Sequence, residues 1–425
     1  MTAHPQKRKP WAWIPTLYFA EGLPYVIVMT VSVIMYKRLG ISNTEIALYT
    51  SWLYLPWVIK PLWSPLVDIV RTKRVWIVAM QLLVGAGLAG VALTLPADNF
   101  LRWSLAFLWL LAFSSATHDI AADGFYMLGL TQHQQAWFVG VRSTFYRLAM
   151  ITGQGLLVML AGFIETWSGD VTLAWVITFY VLAGLFLMFS LYHQLMLPRP
   201  ASDTPGRAEG SKDLLRGFLE TFASFFRKEH VVAALAFLLL FRFAEAQLAK
   251  MAAPFLLDSS AVGGLALSTS QVGFVYGTVG VALLTLGGIL GGVLAARNGL
   301  KFWLWWMVAA INLPNAVYIF LSFAQPEAYW VVSLAVAVEQ FGYGFGFTAY
   351  MLYMIYFSRG EHETAHFAIC TGFMALGMML PGMFSGWLQE AIGYRNFFLW
   401  VMLATVPSFL VAALIPLDRS FGRKE

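Results

Sequence analysis

The sequence predicts an all-α membrane protein, with twelve transmembrane helices in two six-helix halves. Three observations predict it. Of its 425 residues, 59% are apolar and only 12% charged, where soluble domains carry about 25% charge. Apolar runs long enough to cross the hydrocarbon core, about 20 residues at a rise of about 1.5 Å each, recur twelve times along the chain. A polar stretch over 198–230 separates these runs six and six.

The runs fall at 11–36, 44–67, 75–96, 103–130, 136–164 and 171–197, then at 231–257, 270–296, 301–323, 328–357, 364–390 and 396–416. The first follows Lys7, Arg8 and Lys9, as in a secretory leader. Its apolar stretch continues to about Met35 without a small-residue cleavage site, so a retained span is expected. The second closes on Lys60-Pro61-Leu62-Trp63-Ser64-Pro65 and a charged turn, Asp68 to Arg74, before the third opens at Val75. The stretch 198–230 holds Pro198, Pro200, Pro205, Gly206, Gly210 and a cluster of basic residues. It reads as a linker with a short amphipathic helix near 213–227 lying on the membrane surface. The domains are therefore 1–197, the linker 198–230, and 231–425. Paired halves of this kind in helical transporters face each other across a central substrate path.

Orientation follows from the basic residues. With the N-terminus cytoplasmic, 18 of the 27 Lys and Arg fall on the cytoplasmic side, Arg207, Lys212 and Arg216 of the linker among them. Only Lys37, Arg38, Arg102 and Arg395 face the other side, and five lie inside spans. That asymmetry predicts cytoplasmic termini and a cytoplasmic linker. The net charge of +5 therefore reports membrane topology, and no nucleic-acid partner is expected. The 17 Trp suit two membrane–water interfaces. A single cysteine, Cys370, excludes an intramolecular disulfide. The sequence shows no His-Glu-x-x-His metal spacing, no nucleophile–base set and no phosphate-binding glycine loop. No enzyme, metal or cofactor is expected, and no sizeable soluble segment exists for a receptor's output.

The two halves echo each other at the turn. After the eighth run, Gly287-Gly288-Ile289-Leu290-Gly291-Gly292 leads to Arg297 and Lys301, where the first half has Asp68, Arg71, Lys73 and Arg74. Small residues at a spacing of four let helices approach closely. Twelve spans, a basic central loop and charged turns after spans two and eight resemble the major facilitator superfamily. Asp68 with Arg71, Lys73 and Arg74 is a degenerate form of its loop signature. Lys60-Pro61-Leu62-Trp63-Ser64-Pro65-Leu66-Val67-Asp68 is similar to the AmpG-type muropeptide permease branch, which includes acetyl-CoA-transporter-like relatives. Glu21-Gly22-Leu23-Pro24, His118-Asp119-Ile120-Ala121-Ala122-Asp123 and Tyr146-Arg147-Leu148-Ala149-Met150 support this likeness, with Glu339, Pro381-Gly382 and Gly386-Trp387. The resemblance implies the major facilitator fold, alternating access and cell-wall recycling products as substrate.

Charges at bilayer depth are costly and are paired, water-facing or functional. Glu21 lies ten residues into the first span, about 15 Å deep, before the helix-kinking Pro24. It reads as a protonatable carboxylate or as a structural hydrogen-bond partner. Asp119 and Asp123 share one helix face at a spacing of four, beside His118. Paired carboxylates suit proton coupling, and the competing reading is neutralisation by Arg142 and Arg147. The fourth and fifth spans run in opposite directions, so Asp123 and Arg142 fall at similar depth. Arg142 and Arg147 point to different sides, and a guanidinium fork favours an anionic substrate. Lys60 either snorkels to the interface or serves as counter-charge to the carboxylates or the substrate. In the seventh span Arg242 and Glu245, three apart, either neutralise each other or line the path with Gln247 and Glu339. Lys250 lies in the same span. Asp68, Arg71 and Arg74 are expected to form a charge lock between helices. Tyr126 and Tyr343 are among the aromatics able to stack on sugar rings.

The expectation is a secondary transporter working as a monomer in a bacterial cytoplasmic membrane. Glu21, Asp119 and Asp123 carry proton coupling; Lys60, Arg142, Arg147, Arg242, Glu245 and Glu339 bind substrate. The solute is an anhydro-muropeptide or its amino sugar, imported with protons. The alternatives are export of drugs or siderophores, and import of another anionic metabolite such as an acyl-CoA.

Overall fold

The computed structural model describes residues 9–205, 211–418 and 421–422; the side chains of Asp68, Ala136 and residues 211–218 lie outside that description. Every long regular element among the described residues is a helix. They are α1 (Pro10–Arg38), α2 (Asn43–Trp52), α3 (Leu55–Val70), α4 (Lys73–Thr94), α5 (Phe100–Gly129), α6 (Gln132–Ser168) and α7 (Val171–Met196). After the linker helix α8 (Ser211–Phe226) come α9 (Val231–Leu257), α10 (Thr269–Asn298), α11 (Leu300–Ala324), α12 (Tyr329–Ser358), α13 (Glu363–Leu403) and α14 (Val406–Leu414). Ten runs among the described residues are long and apolar enough to cross a membrane. Two local events account for the difference from the twelve apolar runs of the sequence. The second run is divided at Leu53–Tyr54 into α2 and α3. The last two are fused into one run of 52 residues, Glu363–Leu414, which turns at Gly393, whose φ of 74° is the left-handed region that favours glycine.

Local sequence explains the other irregularities. Pro24 has no N–H to donate and its ring crowds the preceding turn. Just past it α1 widens into a π-helical stretch, Ile27–Val31, a bulge of the kind that recurs at functional sites. Thr131 with Gln134 and Ser268 with Gln271 form capping boxes that start α6 and α10. At α4 the side chain of Thr72 accepts from the Val75 N–H. Asp203 of the linker accepts the Lys73 and Arg74 N–H groups at 2.7 and 3.1 Å, so most of the orphan donors of this helix start are satisfied.

Packing divides the chain into two units. The first comprises Met1–Val31, Ile59–Gly153 and Leu160–Phe218. In it α4 lies between α5 and α7, and the N-terminal part of α1 packs on α6 and α5. Trp13, Leu17, Ile77, Ala121 and Phe125 form its core. The second comprises Ser32–Val58, Gln154–Met159 and Leu219–Glu425. Its core gathers Phe237, Phe241, Met307, Tyr350, Tyr353 and Ile369. The division does not follow chain order, because the end of α1 and all of α2 pack on α9 and α13. Within this unit Gly287 and Gly291 put α10 against α12. A Cβ on Gly287 would strike the Phe341 carbonyl, and one on Gly291 would lie 2.6 Å from Thr348 Oγ1. The linker helix α8 stands where 213–227 was expected. Its Phe225 is buried in the second core and stacks on Phe373.

Candidate functional site: a charge cluster

The first unit brings five of the sequence-predicted residues together from four helices. Asp119 and Asp123 are one turn apart on α5, so their side chains share a face. Lys60 of α3 pairs with Asp119. Arg142 Nη2 of α6 donates to Asp123 Oδ1 at 2.7 Å, and the Tyr18 hydroxyl of α1 donates to the same oxygen at 3.3 Å. The Arg142 guanidinium also lies 4.5 Å from the Tyr18 ring centroid and 5.1 Å from that of Tyr126. These contacts hold the fork by cation–π attraction as well as by charge. Glu21, one turn beyond Tyr18 on α1, is 7% exposed and stands within electrostatic reach of Asp119 and Asp123. Its Oε2 has no hydrogen-bond partner among the described residues.

The charges of this cluster do not balance. Among the described residues, three carboxyl groups, Glu21, Asp119 and Asp123, face two cations ion-paired to them, Lys60 and Arg142. With every acid ionised one negative charge is left over, and at Glu21, 7% exposed, an uncompensated charge is expensive. One bound proton makes the set neutral.

His118, adjacent to Asp119 in sequence, belongs to a different arrangement. Its Nε2 meets the Gln81 amide at 2.9 Å. Gln81 Oε1 accepts from His193 Nδ1 at 2.9 Å, and His193 Nε2 lies 2.9 Å from Thr16 Oγ1. This buried polar chain ties α5, α4, α7 and α1 together. Arg147, five residues beyond Arg142, is partly buried on the same helix.

The second unit holds the other predicted binding residues. Arg242 sits where α9 breaks, with φ −106°, and donates to the Tyr343 hydroxyl. Its guanidinium lies over the rings of Tyr343 and Phe347 at 5.3 and 4.8 Å. Glu245, in the first turn after the break, is 3% exposed, and its Oε2 has no hydrogen-bond partner among the described residues. Glu339 of α12 accepts from the Gln340 amide at 3.0 Å through Oε2, and its Oε1 has no hydrogen-bond partner among the described residues. Gln247 Oε1 accepts from Trp400 Nε1 at 2.9 Å. Tyr126 and Tyr343, candidates for sugar stacking, thus lie against arginines.

Of the expected lock, the Asp68 side chain lies outside the described residues and Arg71 is exposed. The Arg74 guanidinium donates to the Gln194 carbonyl, and its backbone N–H to Asp203, so Arg74 anchors the turn to the end of α7 and to the linker.

Sequence reading missed three features. Gln81 and His193 are single polar residues in apolar runs and carry no pattern. Lys37, counted among the charges that face the non-cytoplasmic side, pairs with Asp258 at 2.7 Å. Asp258 also accepts from the Tyr394 hydroxyl at 2.7 Å, while Asn43 donates to Gln389 at 2.6 Å. Lys250 donates to Thr50 of α2. Only the mismatch of one buried lysine with no acid at helical spacing in α9 pointed to the last.

The model of the family described as Major Facilitator Superfamily matches residues 16–365. The anhydromuropeptide permease of Escherichia coli (strain K12) is 26% identical over 407 residues, which cover 93% of this chain and 77% of the permease. The putative transporter AmpG 4 of Rickettsia conorii is 23% identical over 406 residues, 93% of this chain and 94% of that protein. Among solved structures, the nucleoside transporter NupG matches 95% of this chain and 98% of its own with a TM-score of 0.67 at 16% identity. A bacterial homologue of the human lysosomal transporter Spinster, in an inward-facing and unoccupied conformation, gives 0.62 at 16% identity over 94% of each chain. At these identities the structural likeness speaks to the fold alone.

Proposed function

The chain belongs to the Major Facilitator Superfamily, and from that premise we propose that it imports anionic anhydro-muropeptides, or the amino sugars within them, together with protons. It is a multi-pass membrane transporter rather than an enzyme. The observation that carries the coupling is the charge count of the first unit: three carboxyl groups against two paired cations. In the cycle, Glu21, Asp119 and Asp123 share one exchangeable proton. Lys60 and Arg142 hold Asp119 and Asp123 in place. When the cluster opens to the side of higher proton activity it loads, and when it opens to the other side it releases. Arg142 and Arg147, with Arg242, Glu245 and Glu339, contribute to solute recognition through charge and hydrogen bonds.

The substrate class rests on the anhydromuropeptide permease, whose likeness runs over 93% of this chain, and on the basic residues within the spans. The distribution of Lys and Arg supports cytoplasmic termini in a bacterial inner membrane, with 1–197 and 231–425 as the halves of an alternating-access cycle.

The test is uptake of labelled anhydro-muropeptide into proteoliposomes, with and without an inward proton gradient. Gradient-stimulated uptake that is lost in Asp123→Asn is the expected result. Equal uptake with and without the gradient removes the coupling; absence of uptake and binding removes the substrate class.

A further inference from the structure

The geometry points to a carboxylate-binding subsite built by Lys250, Ser51 and Thr50, an inference that rests on the reading of the chain as a carrier of an anionic solute. Lys250 of α9 is 5% exposed. Its ammonium has three N–H donors, and one of them goes to Thr50 Oγ1 at 2.9 Å. The Tyr54 ring lies 5.6 Å from Nζ, and no carboxylate stands within ion-pair distance of Lys250 among the described residues. Lys60 and Arg142 of the first unit each hold an acid; Lys250 does not. A buried ammonium persists at such a position when something supplies acceptors.

The surroundings fit an oxyanion. Thr50 commits its own proton to the Ile46 carbonyl at 2.6 Å, so its oxygen acts as acceptor and orients the ammonium. Ser51, the next residue, is fully buried, and its Oγ has no hydrogen-bond partner among the described residues. Gly382 of α13 shows that both groups border one spot. A Cβ there would lie 2.9 Å from Ser51 Oγ and 3.7 Å from Lys250 Cε. The missing side chain lets the two groups share that spot, which is too tight for a Cβ in this conformation and must widen to admit a carboxylate. A carboxylate seated there takes one bond from the ammonium and one from the Ser51 hydroxyl. The Ser51 hydroxyl and a second N–H of the ammonium are thereby satisfied without displacing Thr50.

The experiment compares two sugars on purified protein: 1,6-anhydro-N-acetylmuramic acid, and 1,6-anhydro-N-acetylglucosamine, which lacks the lactyl carboxylate. Wild type is expected to bind the acid about 10- to 100-fold more tightly, the range expected for one charge-assisted hydrogen bond. Lys250→Gln is expected to abolish that preference while leaving the affinity for the neutral sugar unchanged, and Lys250→Arg to restore part of it. Ser51→Ala is expected to weaken binding of the acid several-fold with no loss of thermal stability, because it removes an unsatisfied buried hydroxyl; it decides the matter if Lys250→Gln does not fold. A Lys250→Gln protein that keeps the preference, or loses affinity for both sugars equally, overturns the subsite. If wild type binds neither sugar, the muropeptide reading fails, and a thermal-shift panel of lactate, succinate, glutamate and alanyl-glutamate then tests the subsite alone. Stabilisation by a carboxylate that Lys250→Gln loses supports the subsite for another solute, and no stabilisation by any of them overturns it.

Discussion

Replacing Glu21 by Gln separates proton coupling from solute handling. The side chain is 7% exposed and one carboxylate oxygen has no hydrogen-bond partner among the described residues, so the isosteric amide removes charge without opening a cavity. The cluster then holds two acids against Lys60 and Arg142, neutral with no proton bound. An imposed gradient of about two pH units supplies about 2.7 kcal/mol per proton, which supports accumulation of about 100-fold when one proton accompanies each solute. Wild-type proteoliposomes are expected to approach that ratio. Glu21→Gln proteoliposomes are expected to fall to about unity while still exchanging labelled for unlabelled solute across the membrane. Folding stability in detergent should change by less than about 1 kcal/mol, since a neutral amide replaces a partly unsatisfied acid. The assay measures the accumulation ratio and solute counterflow side by side. Accumulation like wild type would refute the charge count, and loss of counterflow together with accumulation would make Glu21 a recognition or folding residue. Accumulation well above about 100-fold in wild type would require a second coupled proton.

The Lys60–Asp119 pair keeps 22% and 21% side-chain exposure. Lys60→Met alone is therefore expected to cost about 2–3 kcal/mol after allowing for solvent screening, and Lys60→Met with Asp119→Asn less than the sum of the single changes; additive denaturation data would refute the pairing. Asp203→Ala removes the acceptor of two N–H groups at the start of α4 and should cost about 1 kcal/mol, read as a lower unfolding midpoint in detergent. Gly291→Leu forces its Cβ against Thr348 and the Phe345 carbonyl, and is expected to cost about 1–3 kcal/mol or more as α10 is pushed off α12. An unchanged midpoint in that variant would mean that the two helices are not in close contact.

The sequence by itself determined what local rules decide. Lipid requires about 20 consecutive apolar residues for each crossing, so the all-helical membrane class and most of the apolar runs were legible in composition and run length. The family likeness was legible in Lys60–Arg74. The Asp123–Arg142 pair was legible too, because neighbouring antiparallel spans bring residues 19 apart to equal depth.

Tertiary structure decided which helix face meets which neighbour, and that is non-local. Lys60 was open between snorkelling and pairing until the fold set it against Asp119, 59 residues away. Gln81 and His193 became partners across 112 residues, and Lys250 met Thr50 across 200. The end of α1 and α2 joined the second unit although chain order assigns them to the first half. No periodicity reports such contacts. Buried polar groups must find their acceptors in three dimensions, and the partner is whichever group the packing of apolar surfaces carries there.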